Sequence, residues 1–163
     1  MKGEVIFMGL VSKDAGIELD IYQLLFKTFI LLDDSDSRFF AEYGLSTRQF
    51  WALQHLDEVN GRSMVDLSRL LITDKSNVTG IVDRLENMEL VKRVPSTHDR
   101  RVTLITLTAE GSRLREKVDE NHALRIFDLM KVLDASQLQM LFEYLTSVSQ
   151  SIEKELMQAD AGQ

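Results

Sequence analysis

Cysteine is absent from this chain of 163 residues, and proline occurs only once, at Pro95. The lack of cysteine excludes disulfide scaffolds, thiolate metal sites, cysteine nucleophiles and thiol-based redox sensing. Because proline is the strongest helix breaker, its near-absence favours a mostly helical protein. Long apolar runs are missing too, and no stretch reaches the roughly 18 residues that a transmembrane helix needs.

Positive charge is also in short supply. The chain has 19 Lys and Arg against 26 Asp and Glu, a formal net charge of -7. Coating of nucleic acid or membranes by overall positive charge is therefore not expected. Hydrophobic residues make up 44% and charged residues 28%, as in folded soluble domains, and the length predicts one domain.

The first 16 residues do not resemble a secretory signal. An acidic residue, Glu4, lies where a signal would be basic, and no small-residue cleavage site follows the apolar stretch. We expect this segment to be an extended arm, or a turn of helix, packed on the body of a cytoplasmic protein with no membrane partner.

Helical periodicity and capping residues divide the next part of the chain. Apolar spacings of three and four predict an amphipathic helix from Ile17 toward Tyr43, ended by Gly44. Ser46 and Gln49 form a capping box that opens a second helix. After the Asn60-Gly61 turn signal, Ser63 with Asp66 begins a third, short helix.

A fourth helix is predicted to begin near Thr73 or Asp74, with one apolar stripe and one small, hydrogen-bonding face. The polar face comprises Ser76, Gly80, Asp83 and Asn87, flanked by Lys75, Asn77, Thr79 and Arg84. Gly80 costs about 1 kcal/mol relative to alanine in a helix interior. Either a close backbone approach favours it there, or it is simply tolerated.

After Leu90 the apolar spacing changes to alternation. Residues 91–94 and 101–107 predict a β-hairpin with a polar, basic tip, and the chain then reads helical from Thr108, with a break near 134–136. Helix, turn, helix and hairpin is the order of a winged helix-turn-helix, whose second helix fits the DNA major groove. Residues 61–101 carry eight Lys or Arg against six Asp or Glu, whereas the rest carries eleven against twenty.

These segments closely resemble the MarR family of bacterial transcriptional regulators. The matching text is LSTRQ at 45–49, NVTGIVDRLE at 77–86, LV at 90–91, DRR at 99–101 and LTAEG at 107–111. The resemblance implies a homodimer with interlocking terminal helices, a recognition helix at 74–89 and an organic-ligand site between the dimerisation and DNA-binding regions.

The same resemblance implies roles for individual side chains. Ser76, Asn77 and Thr79 would contact bases or phosphates. Lys75 and Arg84 would bind phosphates. In the wing, Asp99 would position Arg101 for the minor groove, with Arg100 beside it. Gly80 departs from members that carry an arginine there. We expect Asp83 to orient Arg84 or a wing arginine, and Lys92 and Arg93 could equally be plain surface charge.

Other chemistry has weaker support. The Ser96–Asp99 neighbours cannot fold onto each other as a catalytic triad, so no enzyme, catalytic residue or cofactor is expected. Asp119 and His122 share a helix face and could offer two metal ligands, but a solvated surface explains them as well. A cavity for a small aromatic or phenolic effector could be lined by Tyr22, Phe40, Trp51 and His55, with core packing as the alternative.

The sequence thus predicts a mainly α protein with a small β-hairpin wing. Residues 1–44 would form an arm and dimerisation helix, 45–108 the DNA-binding region and 109–163 the C-terminal dimerisation helices. The predicted function is a homodimeric regulator, most simply a repressor, that binds a pseudo-palindromic duplex and responds to a small ligand. The rival hypothesis is a winged helix that binds a protein and never touches DNA.

Overall fold

The computed structural model describes residues 16–96, 99 and 101–161, with 160 and 161 described by their backbone alone. Its elements are six helices and three strands in the described part of the chain. The helices are α1 (Ile17–Ala41), α2 (Thr47–Gln54), α3 (Met64–Leu70), α4 (Lys75–Asn87), α5 (Ala109–Met130) and α6 (Ala135–Ala161). The strands are β1 (Arg62–Ser63), β2 (Val91–Pro95) and β3 (Thr103–Leu107). A mainly α fold with a small wing is confirmed, and the predicted arm at 1–15 lies outside the described residues.

Side-chain caps fix where most helices begin. Ser46 Oγ accepts from the Gln49 amide and Gln49 Oε1 accepts from the Ser46 amide, which confirms the predicted capping box. Ser63 caps α3 through the Asp66 amide. The Thr108 hydroxyl accepts from the Gly111 amide in the first turn of α5. At α6, Asp134 and Gln137 form a second reciprocal cap, at the place where only a break in the helical pattern was predicted.

The three strands form one antiparallel sheet in the order β1-β3-β2. In the hairpin, Val91 lies opposite Leu107 and Pro95 opposite Thr103. The third strand, β1, pairs Arg62 with Ile105 and was not predicted. Two residues are too short for any alternation of apolar and polar side chains, so only the fold reveals this strand.

The core of residues 16–118 joins α1, α2, α3 and α4 to the sheet. Its fully buried side chains include Phe40, Phe50, Leu53, Leu67, Val82, Leu85, Ile105 and Leu107. Phe40 stacks on Phe50 with ring centroids 4.2 Å apart. This core holds α4 by its apolar stripe and leaves the opposite face of α4 accessible.

The chain divides into two compact units between Val118 and Asp119. The second unit contains the end of α5 and all of α6, joined by the turn that Asp134 caps. Many of its large apolar side chains are exposed, among them Phe127, Phe142, Val148, Ile152, Leu156 and Met157. These two units differ from the three segments defined from the sequence, and the roles expected for residues 1–44, 45–108 and 109–163 stay a prediction.

Candidate nucleic-acid interface

One side of α4 presents a polar surface. Lys75, Ser76, Asn77, Thr79 and Arg84 are exposed and Gly80 is partly exposed, whereas Val78, Ile81, Val82 and Leu85 are buried. The Asn77 amide nitrogen donates to Thr73 Oγ1 at 3.2 Å, and the Thr79 hydroxyl donates to the Lys75 carbonyl oxygen at 3.0 Å. The side chains predicted to read DNA on this helix thus share one accessible face.

A cleft of about 360 Å³ separates the start of α2 from this face. Its lining comprises Ser46, Arg48, Ser76, Asn77, Gly80, Ile81 and Arg84. Within the described residues Arg48 and Arg84 make no ion pair, so both guanidinium groups are available to an anion. Two cations, two hydroxyls and an amide around one cleft suit a phosphate group.

Sequence reasoning missed Ser46 and Arg48 as parts of this site. The signal was present in the capping box, since a side chain in the first turn of a helix lies at the positive end of its dipole. What the sequence did not provide is the packing of α2 against α4, which brings that first turn to the cleft.

Gly80 lies on the surface of the cleft, and a Cβ built there would meet no atom within 4 Å. The protein itself therefore does not require glycine at this position. A methyl group would instead project into the space that a DNA backbone would occupy.

Arg93 connects the wing to α4. From β2 its guanidinium donates to Asp83 Oδ1 at 2.6 Å and also to the Glu86 carboxylate, one turn further along α4. The hydrogen bond with Asp83 raises the pKa of Arg93 above its already high ordinary value. Asp83 thus orients a wing-strand arginine, as expected, and not Arg84. Its negative charge is balanced close to where DNA phosphates would approach.

The wing holds Arg101 through Asp99. The Asp99 carboxylate accepts from the Arg101 backbone amide at 3.0 Å, from its Nε at 3.2 Å and from its terminal guanidinium nitrogen at 3.4 Å. These hydrogen bonds, the backbone one foremost, lower the pKa of Asp99. The Arg101 side chain is nevertheless 91% exposed. Arg100 lies outside the described residues, as do Thr97 and His98.

The structure does not bring the four predicted effector residues together within one chain. Phe40 belongs to the core, whereas Tyr22 is exposed 18 residues earlier on the same helix, about 27 Å away at 1.5 Å per residue. Trp51 and His55 lie one helical turn apart at the end of α2, and both are accessible. Core packing, the alternative considered for each residue, accounts for Phe40.

Metal binding gains no support in the described part of the chain, where no three His, Cys, Asp or Glu side chains cluster suitably. His122 is buried and His98 lies outside the described residues. Among these same described ranges, no helix is both long enough and apolar enough to cross a bilayer.

Comparison with known proteins agrees with this geometry. A model of the MarR family matches residues 43–102. The chain is 26% identical over 130 residues to the HTH-type transcriptional regulator MhqR of Bacillus subtilis, covering 80% of this chain and 90% of MhqR. It is 30% identical over 104 residues to the HTH-type transcriptional regulator FarR of Neisseria gonorrhoeae, covering 63% of this chain and 71% of FarR.

This chain belongs to the MarR family. Its fold is also that of AbsC, a MarR family transcriptional regulator from Streptomyces coelicolor, with a TM-score of 0.75 at 22% identity over 88% of this chain and 99% of AbsC. As a MarR-family protein it is a DNA-binding transcriptional regulator and not an enzyme.

Because the Gly80 position is open, we expect the Gly80→Ala substitution to raise the stability of the fold and to lower its affinity for DNA. Gly80→Ala should stabilise the MarR-family fold by about 1 kcal/mol, because alanine is the better helix former and meets no neighbour. The same methyl group should weaken DNA binding several-fold because it occupies the cleft. Urea unfolding measures the free energy of unfolding, and DNA titration of the same preparation measures the affinity. Unchanged affinity would show that Gly80 is merely tolerated.

Proposed function

We propose that this MarR-family regulator binds a pseudo-palindromic operator as a homodimer and represses transcription. The observation that carries the DNA geometry is the cleft shared by α2 and α4, with Arg48 and Arg84 on its walls. A recognition helix that presents Ser76, Asn77 and Lys75 can contact base edges while these arginines bind the flanking phosphates. The Arg101 side chain, exposed and held by Asp99, would then enter the adjacent minor groove.

The exposed apolar faces support self-association. On α1 the outward side chains include Ile17, Leu24, Phe29 and Leu31, and on α6 they include Phe142, Ile152, Leu156 and Met157. Many exposed large apolar side chains on one helix indicate an interaction site. A second copy related by a two-fold axis can cover the same faces on both chains, and it places two recognition helices about one DNA turn apart.

A charged side chain on the apolar face of α6 should therefore prevent dimer formation. Phe142 is 68% exposed on this face. We expect the Phe142→Glu variant to sediment as a folded monomer at micromolar concentration. Gln150→Glu, an exposed position on the same helix, adds the same charge and should leave the dimer intact. A dimeric Phe142→Glu protein would contradict this placement, as would a dimer formed by a chain truncated after Leu133.

Repression needs only occupancy of a promoter, whereas activation needs a further contact with the transcription machinery. Repression is therefore the simpler of the two roles for the proposed DNA interface. An operator placed across a promoter should therefore lower reporter output when this protein is expressed. Increased output would overturn the repressor assignment and leave DNA binding in place.

Modulation by a small aromatic or phenolic ligand completes the proposal. Trp51, the only tryptophan in the chain, and His55 offer an accessible ring and an imidazole one turn apart. Binding there should change Trp51 fluorescence, and a ligand that favours one of two dimer states must change operator affinity in the same titration. A fluorescence change with constant operator affinity would exclude a regulatory role for that compound.

Selection of random duplex DNA by the purified protein, near 0.15 M salt, tests the interface. The wild type should enrich a palindromic sequence, and Arg48→Ala/Arg84→Ala should bind it weakly with a smaller salt dependence. Arg113→Ala removes an exposed arginine that pairs with Glu110 on α5 and serves as the matched control. The double variant removes two positive charges and the control removes one, so a control loss about half as large in free energy would mean that only overall charge matters.

A further inference from the structure

The turn between α3 and α4 contains an unusual backbone conformation. Ile72 has a φ of 47°, in the left-handed region that β-branched residues rarely adopt. The Ile72 amide donates to the Arg69 carbonyl oxygen at 3.2 Å and the Thr73 amide to the Ser68 carbonyl oxygen at 3.0 Å. This is the pair of hydrogen bonds of a Schellman motif, in which the left-handed position normally carries glycine.

Two other helices of the chain end in the same way. Gly44 occupies the left-handed position after α1, with a φ of 72°, and Glu89 occupies it after α4, with a φ of 61°. Among these three described helix ends, glycine occupies the left-handed position after α1 and is missing after α3 and after α4, the two helices of the helix-turn-helix. Ile72 is the more costly of the two exceptions, because its branched Cβ crowds the backbone.

Packing does not explain the isoleucine. Its side chain is 93% exposed, the highest value among the exposed large hydrophobic side chains of the described residues. The strain therefore comes without the burial that would offset it. The turn uses the left-handed conformation but does not need an isoleucine in it, and strained residues of this kind cluster at functional sites.

The position of Ile72 indicates what it would contact. Two residues separate it from Lys75, so its Cα lies at most about 11 Å from the first residue of α4. The neighbouring Thr73 hydroxyl accepts from the Asn77 side chain, which makes the turn continuous with the base-reading face. When a helix-turn-helix docks, the N-terminal residues of the second helix contact base edges in the major groove, and Ile72 lies just before that end of α4.

We propose that Ile72 contacts the C5-methyl group of a thymine at the edge of each half-site and so contributes to sequence specificity. The inference rests on the proposed DNA interface. The thymine methyl is the apolar group that base edges present in the major groove, and one aliphatic side chain matches it in size. A protein partner fits less well, since a stable protein interface needs about 800 Å² on each side.

Three variants separate the contact from the backbone effect. Ile72→Gly relieves the left-handed strain, so its melting temperature should rise. Because it also removes the side chain, its operator affinity should fall about fourfold, the change in affinity expected for the loss of one buried methyl group. Ile72→Val keeps an apolar branched side chain and should stay within about twofold of the wild type. Glu89→Gly relieves the equivalent strain after α4 and should raise the melting temperature without weakening binding.

Uracil in place of thymine tests the DNA side of the contact, because it removes only the C5-methyl. In the selected operator, one thymine-to-uracil change should weaken the wild type about fourfold and leave Ile72→Gly unaffected. The proposal is overturned if Ile72→Gly binds like the wild type, or if every uracil change affects both proteins equally. Should the wild type select no duplex, the proposed interface fails and this inference falls with it. A loss in Arg101→Ala but not in Ile72→Gly would leave the interface standing and reject Ile72 alone.

Discussion

Gly111→Ala should destabilise this protein by about 3 kcal/mol, although Gly80→Ala should stabilise it. A Cβ at Gly111 would lie 1.9 Å from the Leu90 carbonyl oxygen and 2.8 Å from its carbonyl carbon. Both are backbone atoms, which cannot swing aside as a flexible side chain could. The gain of about 1 kcal/mol from better helix propensity is therefore outweighed by the displacement of α5 from the start of β2.

The close approach at Gly111 has a structural purpose. The Leu90 carbonyl accepts from the Thr108 amide at 3.0 Å, and the Thr108 hydroxyl donates to the Glu89 carbonyl oxygen at 2.7 Å. The first turn of α5 is thus attached to the residues that directly follow α4. Thermal unfolding of Gly111→Ala should show a midpoint lower by on the order of 10 °C, with Gly80→Ala as the opposite-signed control. Equal midpoints for Gly111→Ala and the wild type would mean that α5 can shift without cost.

Local signals explain why so much of the fold could be predicted. A capping box involves residues three apart, so Ser46 with Gln49, and Ser63 with Asp66, specify helix starts without any knowledge of packing. The hairpin could be predicted for the same reason, because alternation and a polar tip are properties of consecutive residues.

The features that could not be predicted depend on contacts between elements. Arg93 binds the carboxylates of Glu86 and Asp83, seven and ten positions earlier. From the sequence, Arg93 could equally have been a surface charge without a partner. Arg48 reaches the cleft only because α2 packs beside α4. For the effector residues, helical rise alone separates Tyr22 from Phe40, so the sequence already argued against one small cavity for both within a single chain.

Ile72 shows a third kind of limit. The motif that ends α3 normally carries glycine at this position, and an isoleucine there would argue against the turn. The fold adopts the left-handed conformation all the same. A disagreement between local preference and observed structure is expected where function selects the residue.

The second large effect is expected at the wing. Arg101→Ala should lower operator affinity about tenfold, the equivalent of about 1.4 kcal/mol, and leave both the fold and the dimer unchanged. The fold should be unaffected because the side chain is 91% exposed and, among the described residues, its hydrogen bonds go only to Asp99 two residues away. Titration of fluorescent operator at several salt concentrations measures both the affinity and the number of ionic contacts.

Two further variants separate charge from position at the wing. Arg113→Ala also removes an exposed arginine paired with a nearby carboxylate, yet its position on α5 should give affinity close to that of the wild type. Asp99→Asn keeps an oxygen that can accept from the Arg101 amide but loses the ion pair that aligns the guanidinium. Its affinity should therefore fall between those of the wild type and Arg101→Ala.

Because the pKa of Asp99 is lowered, that ion pair is fully formed at neutral pH and is lost only on acidification below the ordinary carboxyl range. If Arg101→Ala and Arg113→Ala lose affinity equally, the arginine at the wing contributes charge and no minor-groove contact.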